Sequence, residues 1–433
     1  MKSVSFCTLG CKVNQYETEA MITLFKERGY EIKSFEDLCD IYVINTCTVT
    51  GTGERKSRQM IGRAHKKNPN ALICVAGCYS QVSPEDVKKL PGVGIVIGTN
   101  DRAKIVDMAE EFLKTGKKEA KISDILRQRE FERLWITSYE DKTRAFVKIE
   151  EGCTEFCSYC IIPYARGPVR SRPLEDIEKE VRTLSKNGYR EIVLTGIHIG
   201  SYGRDLENTS LIDAVKTVNA IDGIERIRLG SVEPRVLDEN FVREISKMGK
   251  VCDHFHISLQ SGCDKTLRNM NRKYTTKEYK DAVERLRNAF KNPAITTDII
   301  TGFPMETDED FEVSLKFMED VRFSEVHVFP YSPRKGTKAA MMDGQVEKKT
   351  REKRAKIMIE KAKELHREYV KSFENTTQSV LFEQHIGDGI YEGHMTNYIK
   401  VRMKSCEDIS HRILNVKLES YDGRCIWADF SKS

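Results

Sequence analysis

No stretch of this 433-residue chain is long and apolar enough to cross a bilayer, and its mean hydropathy is −0.49. A membrane span of about 20 apolar residues is therefore not expected. The opening residues, MKSVSFCTLGCKVNQYETEA, turn polar too early for a secretory h-region, so the expectation is a protein that stays in the cytoplasm. A reducing compartment keeps thiols free, so the thirteen cysteines should not form disulfides, and clusters among them read as metal ligands. Strong charge of one sign is lacking too. The net charge of +5 permits a polyanionic partner without requiring one.

A second absence is sharper. The stretch EGCTEFCSYCIIPYARG, residues 151–167, sets Cys153, Cys157 and Cys160 within eight residues, and neither a fourth cysteine nor a ligand-spaced histidine stands nearby. A structural zinc site takes four ligands, usually as two separated pairs, which disfavours zinc here. Three thiolates can instead hold three irons of a 4Fe-4S cube and leave the fourth open to a ligand from outside.

The length suits two or three domains. Residues 1–112 alternate short apolar runs (SVSFCTLG, IYVINTC, ALICVAGC, GVGIVIGT) with amphipathic segments, which predicts an open parallel α/β sheet. The charged passage 113–143 reads as a linker. Over 144–373 six strand candidates alternate with helical segments, predicting a partial (β/α)6 barrel that lacks two units of a closed one and is open along one side. It ends in a long helix, 347–373, with Met358, Ala362, Leu365, Tyr369 and Phe373 on one stripe and a basic opposite face. Residues 374–433 alternate apolar and polar positions between turns, as a small all-β barrel would.

The Cys153 trio follows the first barrel strand, in a loop at the mouth where such folds carry chemistry. A dispersed trio, Cys11, Cys47 and Cys78, sits at the C-terminal ends of three predicted parallel strands. Such ends converge at one sheet edge, so these cysteines should meet in space and again leave an iron open. Cys7 and Cys74 lie within strands and read as structural.

The CxxxCxxC spacing, with Tyr159 just before its last cysteine, resembles the radical S-adenosylmethionine (SAM) signature. That resemblance implies that the amino and carboxylate groups of SAM chelate the open iron, and that an electron from the cluster cleaves SAM to methionine and a 5′-deoxyadenosyl radical. It also implies SAM contacts from Thr195 and Gly196 in LTGIHIG, Ser231 and Glu233 in RLGSVEP, and Gln260 in HISLQSG. Two three-cysteine sites in this order, followed by a β-barrel and accompanied by YARGPVRSR, LQSGCDKTLRNMNRKYT, DIITGFPMETDEDF and FPYSPRKGTKAA, resemble the radical SAM methylthiotransferase family across essentially the whole chain. The family's plan is an N-terminal cluster domain, a radical SAM core and a C-terminal TRAM domain. It implies two 4Fe-4S clusters, two uses of SAM, an electron donor such as flavodoxin or ferredoxin, and a sulfur source. TLGCKVNQYE is similar to members that methylthiolate N6-threonylcarbamoyladenosine in tRNA, next to the anticodon on its 3′ side, whereas relatives acting on isopentenyladenosine tend to show CQMN.

An RNA reader needs cations for phosphates and aromatics for unstacked bases. Tyr391, Tyr398, Lys400, Arg402, Arg424 and Trp427 of the last domain are the candidates, with Lys348, Lys349, Arg351, Lys353, Arg354 and Lys356 from the long helix and Arg55, Lys56 and Arg58 near the first trio. Three alternatives remain at this stage: methylthiolation of isopentenyladenosine in tRNA, methylthiolation of a ribosomal-protein aspartate, which would suit an acidic last domain, and a metal-stapled RNA-binding protein without catalysis, which predicts zinc.

Overall fold

The computed structural model describes residues 2–49, 51–139 and 143–430; residues 140–142 of the expected linker and the last three of the expected C-terminal domain lie outside these. Strands β1 (Ser3–Thr8), β2 (Glu31–Lys33), β3 (Ile41–Thr46), β4 (Leu72–Gly77), β5 (Val93–Ile97) and β6 (Glu119–Lys121) form a parallel sheet in the order β2-β1-β3-β4-β5-β6. β3, β4 and β5 are buried along their whole length, which is why they read as unbroken apolar runs. Helix α1 (Lys12–Glu27) follows β1, α2 (Gly51–Lys67) follows β3, and the short α3 (Cys78–Val82) follows β4. The winding reverses between β1 and β3, so the crevice at their C-terminal ends is the switch point where such sheets bind ligands. The sheet runs past residue 112: β6 pairs with β5 from inside the expected linker. Its sequence, EAK, is a short polar edge strand with no apolar alternation to reveal it.

The second unit begins with β7 (Arg144–Lys148) and a short antiparallel pair, β8 (Glu150–Glu151) and β9 (Arg170–Ser171). It continues through β10 (Glu191–Thr195), β11 (Arg226–Leu229), β12 (His254–His256), β13 (Ala294–Thr301) and β14 (Glu325–Pro330). Parallel sheets β11-β10-β7 and β12-β13-β14 are joined by the bridges Ile227 to Val251 and Val232 to Ile257. The result is the expected six-stranded open barrel, with β7 and β14 as its free edges. The first unit spans that opening. Tyr16 and Ala20 of α1 join the barrel's core beside β7, while Arg334, beyond β14, donates to Thr48 Oγ1 at 2.7 Å and pairs with Glu54.

The long helix, Lys348–Lys371, carries its apolar stripe as expected. Met358, Ala362 and Leu365 pack into the barrel core, and Tyr369 and Phe373 into the core of the last domain. That domain is a closed barrel of β15 (Thr377–Gly387), β16 (Ile390–Met395), β17 (Lys400–Lys404), β18 (Ile413–Tyr421) and β19 (Ile426–Phe430). It sits against the N-terminal ends of the larger barrel's strands. There Glu191 takes Arg228 at 2.7 Å, Arg144 at 3.2 Å and Arg226 at 3.7 Å. The same arginines donate across the junction to the carbonyls of Thr396, Met395, Ser379 and His394. Burial opposes the charge on Glu191, but the arginines outweigh it and hold its carboxyl at about 2. With a folded value below the unfolded one, this stabilisation is present above the ordinary carboxylate range and is lost as pH falls towards 2.

Candidate metal centres and nucleic-acid interface

The dispersed trio meets at the switch point. Cys11 caps α1, Cys47 follows β3, and Cys78 begins α3. Gly10 lets the first loop approach: its φ is +110°, and a Cβ there would lie 3.0 Å from Cys47 Cβ and 3.2 Å from its Sγ. The three thiols sit within electrostatic reach of one another. Burial pushes Cys78 up to about 12 and raises Cys47.

The second trio occupies the loop after β8, at the C-terminal mouth of the barrel. Gly152, at φ +89°, permits the turn, since a Cβ would fall 1.9 Å from the Pro168 carbonyl oxygen. The loop is pinned without help from sulfur: Cys153 N–H donates to the Gly167 carbonyl at 2.9 Å, Ser158 N–H to Met270 at 3.0 Å, and Ala339 N–H to Ser158 at 2.7 Å. Cys157 Sγ accepts from Arg272 at 3.2 Å and Cys160 Sγ from the Ile162 N–H at 3.4 Å. Burial, then the neighbouring Cys157, pushes Cys160 up to about 12, and burial raises Cys153 as well.

Both trios fit an iron-sulfur cube better than a single ion. Thiols pushed upward in this way become thiolates only beside a cation. Three thiolates on one tetrahedral zinc would lie about 3.8 Å apart, from Zn–S bonds of about 2.3 Å. Among the described residues, the groups of potential ligand atoms lying within 4.8 Å of one another are His256, Asp298 and His327, and Glu155, His198 and Glu233. Neither cysteine trio is that tight, so each suits a body wider than one ion.

One arginine links the two. Arg166, fully buried, donates from Nε to Cys78 Sγ at 3.1 Å and from Nη2 to Asn14 Oδ1 at 2.6 Å, beside Cys11. Its Nη1 reaches Glu151 at 3.0 Å and Glu17 at 2.5 Å. The next residue, Gly167, supplies the carbonyl that holds Cys153 N–H. Burial works against the charge on Glu17, but Arg102, Arg166 and Lys148 outweigh it and keep its carboxyl below the usual range. Replacing Arg166 with Met leaves Glu17 and Glu151 short of a partner and should cost about 3–5 kcal/mol of stability. Thermal unfolding checks the cost. Transfer activity should also fall more than SAM cleavage, because the lost contacts are on the Cys78 side.

The expected SAM-contacting residues lie at C-terminal strand ends. Thr195 is buried at the end of β10, and Gly196 admits Glu150, whose Oε2 would be 2.7 Å from a Cβ there. Ser231 is exposed just beyond β11. Glu233 is buried and paired with Arg272 at 2.8 Å. Gln260 adopts φ +70° and bridges to Ile299, and Tyr159 packs edge-on to Phe303.

On the RNA side the structure departs from expectation at several residues. Tyr391 is buried in the core of the small barrel. Tyr398 is taken up by the domain junction, between the rings of His254 and His394 and the guanidinium groups of Arg144 and Arg228. Arg351 and Arg354 turn inward, to the Tyr331 carbonyl and to Glu306 at 2.8 Å. Lys400, Arg402, Arg424 and Trp427 keep at least partial exposure. Arg402 and Trp427 are register partners on adjacent strands, and Glu392 holds both Lys400 and Arg402. Sequence reasoning missed Arg166, Arg272, Glu17 and Glu151, although YARG and NRKY lie within quoted motifs.

Residues 147–318 match the Radical SAM superfamily and residues 3–98 an uncharacterized protein family, UPF0004. The threonylcarbamoyladenosine tRNA methylthiotransferase of Bacillus subtilis (strain 168) is 42% identical over 423 residues, covering 96% of this chain and 94% of that one. The protein of the same name from Thermotoga maritima is 38% identical, covering 92% and 91%. The tRNA-2-methylthio-N(6)-dimethylallyladenosine synthase of Clostridium tetani is 36% identical, covering 87% and 84%. Among solved structures, the radical SAM methyltransferase TsrM from Kitasatospora setae shares the fold at TM-score 0.56 and 14% identity, over 77% of this chain and 75% of that one.

Proposed function

The chain belongs to the radical SAM tRNA methylthiotransferase family, and we propose that it adds a methylthio group to carbon 2 of N6-threonylcarbamoyladenosine in tRNA, next to the anticodon. The observation that carries this reading is the pairing of two three-cysteine sites through Arg166 and Gly167, one at each face of a space closed by the N-terminal domain. In this reading Cys153, Cys157 and Cys160 hold the cluster that binds SAM, and Cys11, Cys47 and Cys78 hold the cluster that receives sulfur. When bound, SAM and its cluster supply a carbon-centred radical able to take hydrogen from an unactivated carbon. Thr195, Gly196, Ser231, Glu233, Gln260 and Tyr159 would contact SAM in this reading. No side chain need act as nucleophile. The protein's part is to orient the adenine, hold Cys157 and Cys78 through Arg272 and Arg166, and keep water out across the seam between β7 and β14.

The base must leave its stack to enter, which an unpaired anticodon-loop residue does at modest cost. Lys400, Arg402, Arg424 and Trp427 are the proposed contacts to the RNA. A cytoplasmic setting, an electron donor such as flavodoxin or ferredoxin, and a sulfur source complete the scheme. The tRNA methylthiotransferases of Bacillus subtilis, Thermotoga maritima and Clostridium tetani, similar over most of the chain, argue against a ribosomal-protein substrate, and the width of the cysteine trios argues against a zinc staple. Anaerobic reconstitution should give about eight irons per chain, as two cubes require. With SAM, reductant and sulfide, the protein should methylthiolate threonylcarbamoylated tRNA, scored by mass spectrometry of nucleosides. A colourless protein with stoichiometric zinc sinks the proposal.

A further inference from the structure

The inside of the open barrel is polar. Along β12, β13 and β14 the outward residues Phe255, Ile295, Ile299 and Val326 enter the core, so alternation turns His254, His256, Asp298, Glu325 and His327 inward. His256 lies 3.3 Å from Asp298 and stacks on His327. A dimethylallyl group would call for an apolar wall; this wall suits a substituent that carries charge and hydrogen-bonding groups.

Lys12 enters the same space from the opposite side. It is the first residue of α1 and the neighbour of Cys11, and it stands at the head of the helical stripe of Tyr16 and Ala20, which join the barrel core; burial, then the nearby Arg228 and Arg144, lowers its pKa against the opposing pull of Glu191. Glu191 is already shared among three arginines. Among the described residues Lys12 makes no hydrogen bond or ion pair, and the first turn of α1 carries no acidic residue. A cation at a helix N-terminus opposes the helix dipole, so its placement costs local stability and adds positive potential to the chamber.

We propose that Lys12 is a specificity residue that binds the carboxylate of the N6-threonylcarbamoyl group inside the barrel. The inference rests on the function proposed above. In adenine, carbon 2 and the carbon bearing N6 flank the same ring nitrogen. A base that presents carbon 2 to the Cys11 site therefore carries its N6 substituent along the adjacent edge, within the sweep of the residue next to Cys11. The dimethylallyl substituent offers no charge to such a group. A charge-assisted hydrogen bond in a partly dehydrated site discriminates by about tenfold or more.

The test uses reconstituted holoenzyme and three anticodon stem-loops, bearing threonylcarbamoyladenosine, its methyl ester, or dimethylallyladenosine. Binding is read by fluorescence anisotropy under anaerobic conditions with SAM present, and methylthiolated product by mass spectrometry. Wild type should bind the acid about tenfold more tightly than the ester. Lys12→Gln should bind the two alike at unchanged iron content, and Lys12→Arg should restore the preference. Equal binding of acid and ester by wild type overturns the inference without needing any variant, and so does a preference that survives in Lys12→Gln. A wild type that modifies only the dimethylallyl stem-loop overturns the proposed function itself, a result the binding ratio cannot mimic.

Discussion

Joint replacement of Cys153, Cys157 and Cys160 by alanine should abolish SAM cleavage, leave about four irons per chain, and leave the fold standing. The loss should be complete because no other described residue of that loop offers a thiolate, and the neighbouring Glu155, His198 and Glu233 are oxygen and nitrogen ligands already engaged with one another or with arginines. The fold should survive because the loop's backbone is tied to Gly167, Met270 and Ala339, none of them through sulfur. Asn271 adds a side-chain bond to the Phe156 carbonyl at 2.9 Å. The measurements are iron content, thermal unfolding and 5′-deoxyadenosine after incubation with SAM and reductant. Deoxyadenosine at the wild-type rate would show that the radical site lies elsewhere.

The placement of the two cysteine sets was legible from sequence because it follows from a few local features: a tight spacing after the first barrel strand in one case, three strand ends in the other. The six barrel strands and the apolar stripe of the long helix were legible for a related reason, since periodicity is a local property. What escaped was the use of the arginines. Arg102, Arg166, Arg170 and Arg172 are among the largest fully buried side chains, yet in sequence an arginine looks the same on a surface or in a core. Some of them are met by a carboxylate that arrives from far along the chain, as Arg166 is by Glu17; the buried Arg354 is likewise met by Glu306. The basic residues assigned to RNA divided accordingly. Arg351 and Arg354 went to tertiary structure, whereas Lys400, Arg402 and Arg424 stayed at the surface or near it. Tyr391 and Tyr398 failed for the same reason, because an aromatic that could stack on a base also fills a core or a domain junction well.

Joint replacement of Cys11, Cys47 and Cys78 by alanine should remove methylthio transfer entirely while SAM cleavage continues. The barrel trio and its loop contacts all lie after residue 144, and the N-terminal domain meets that segment through Arg166 and through Thr99 Oγ1, which donates to the Ala165 carbonyl at 2.5 Å. Losing Cys78 Sγ takes one acceptor from Arg166 but leaves Asn14, Glu17 and Glu151, which bind its other nitrogens. Gly167 therefore stays in place, and with it the hydrogen bond that positions Cys153. The N-terminal sheet should also persist, since β3 and β4 are buried by apolar residues and the three cysteines lie at its rim. The variant should hold about four irons, as the barrel variant does, but with the opposite partition of activities. Incubation with SAM, reductant, sulfide and threonylcarbamoylated tRNA, followed by mass spectrometry, scores deoxyadenosine and the modified nucleoside together. Cleavage should be uncoupled from product, and slower where the altered rim admits water to the chamber. Methylthiolated tRNA at wild-type yield would refute the sulfur-carrying role of this trio. Loss of both activities with four irons retained would instead mean that the two sites act as one through Arg166.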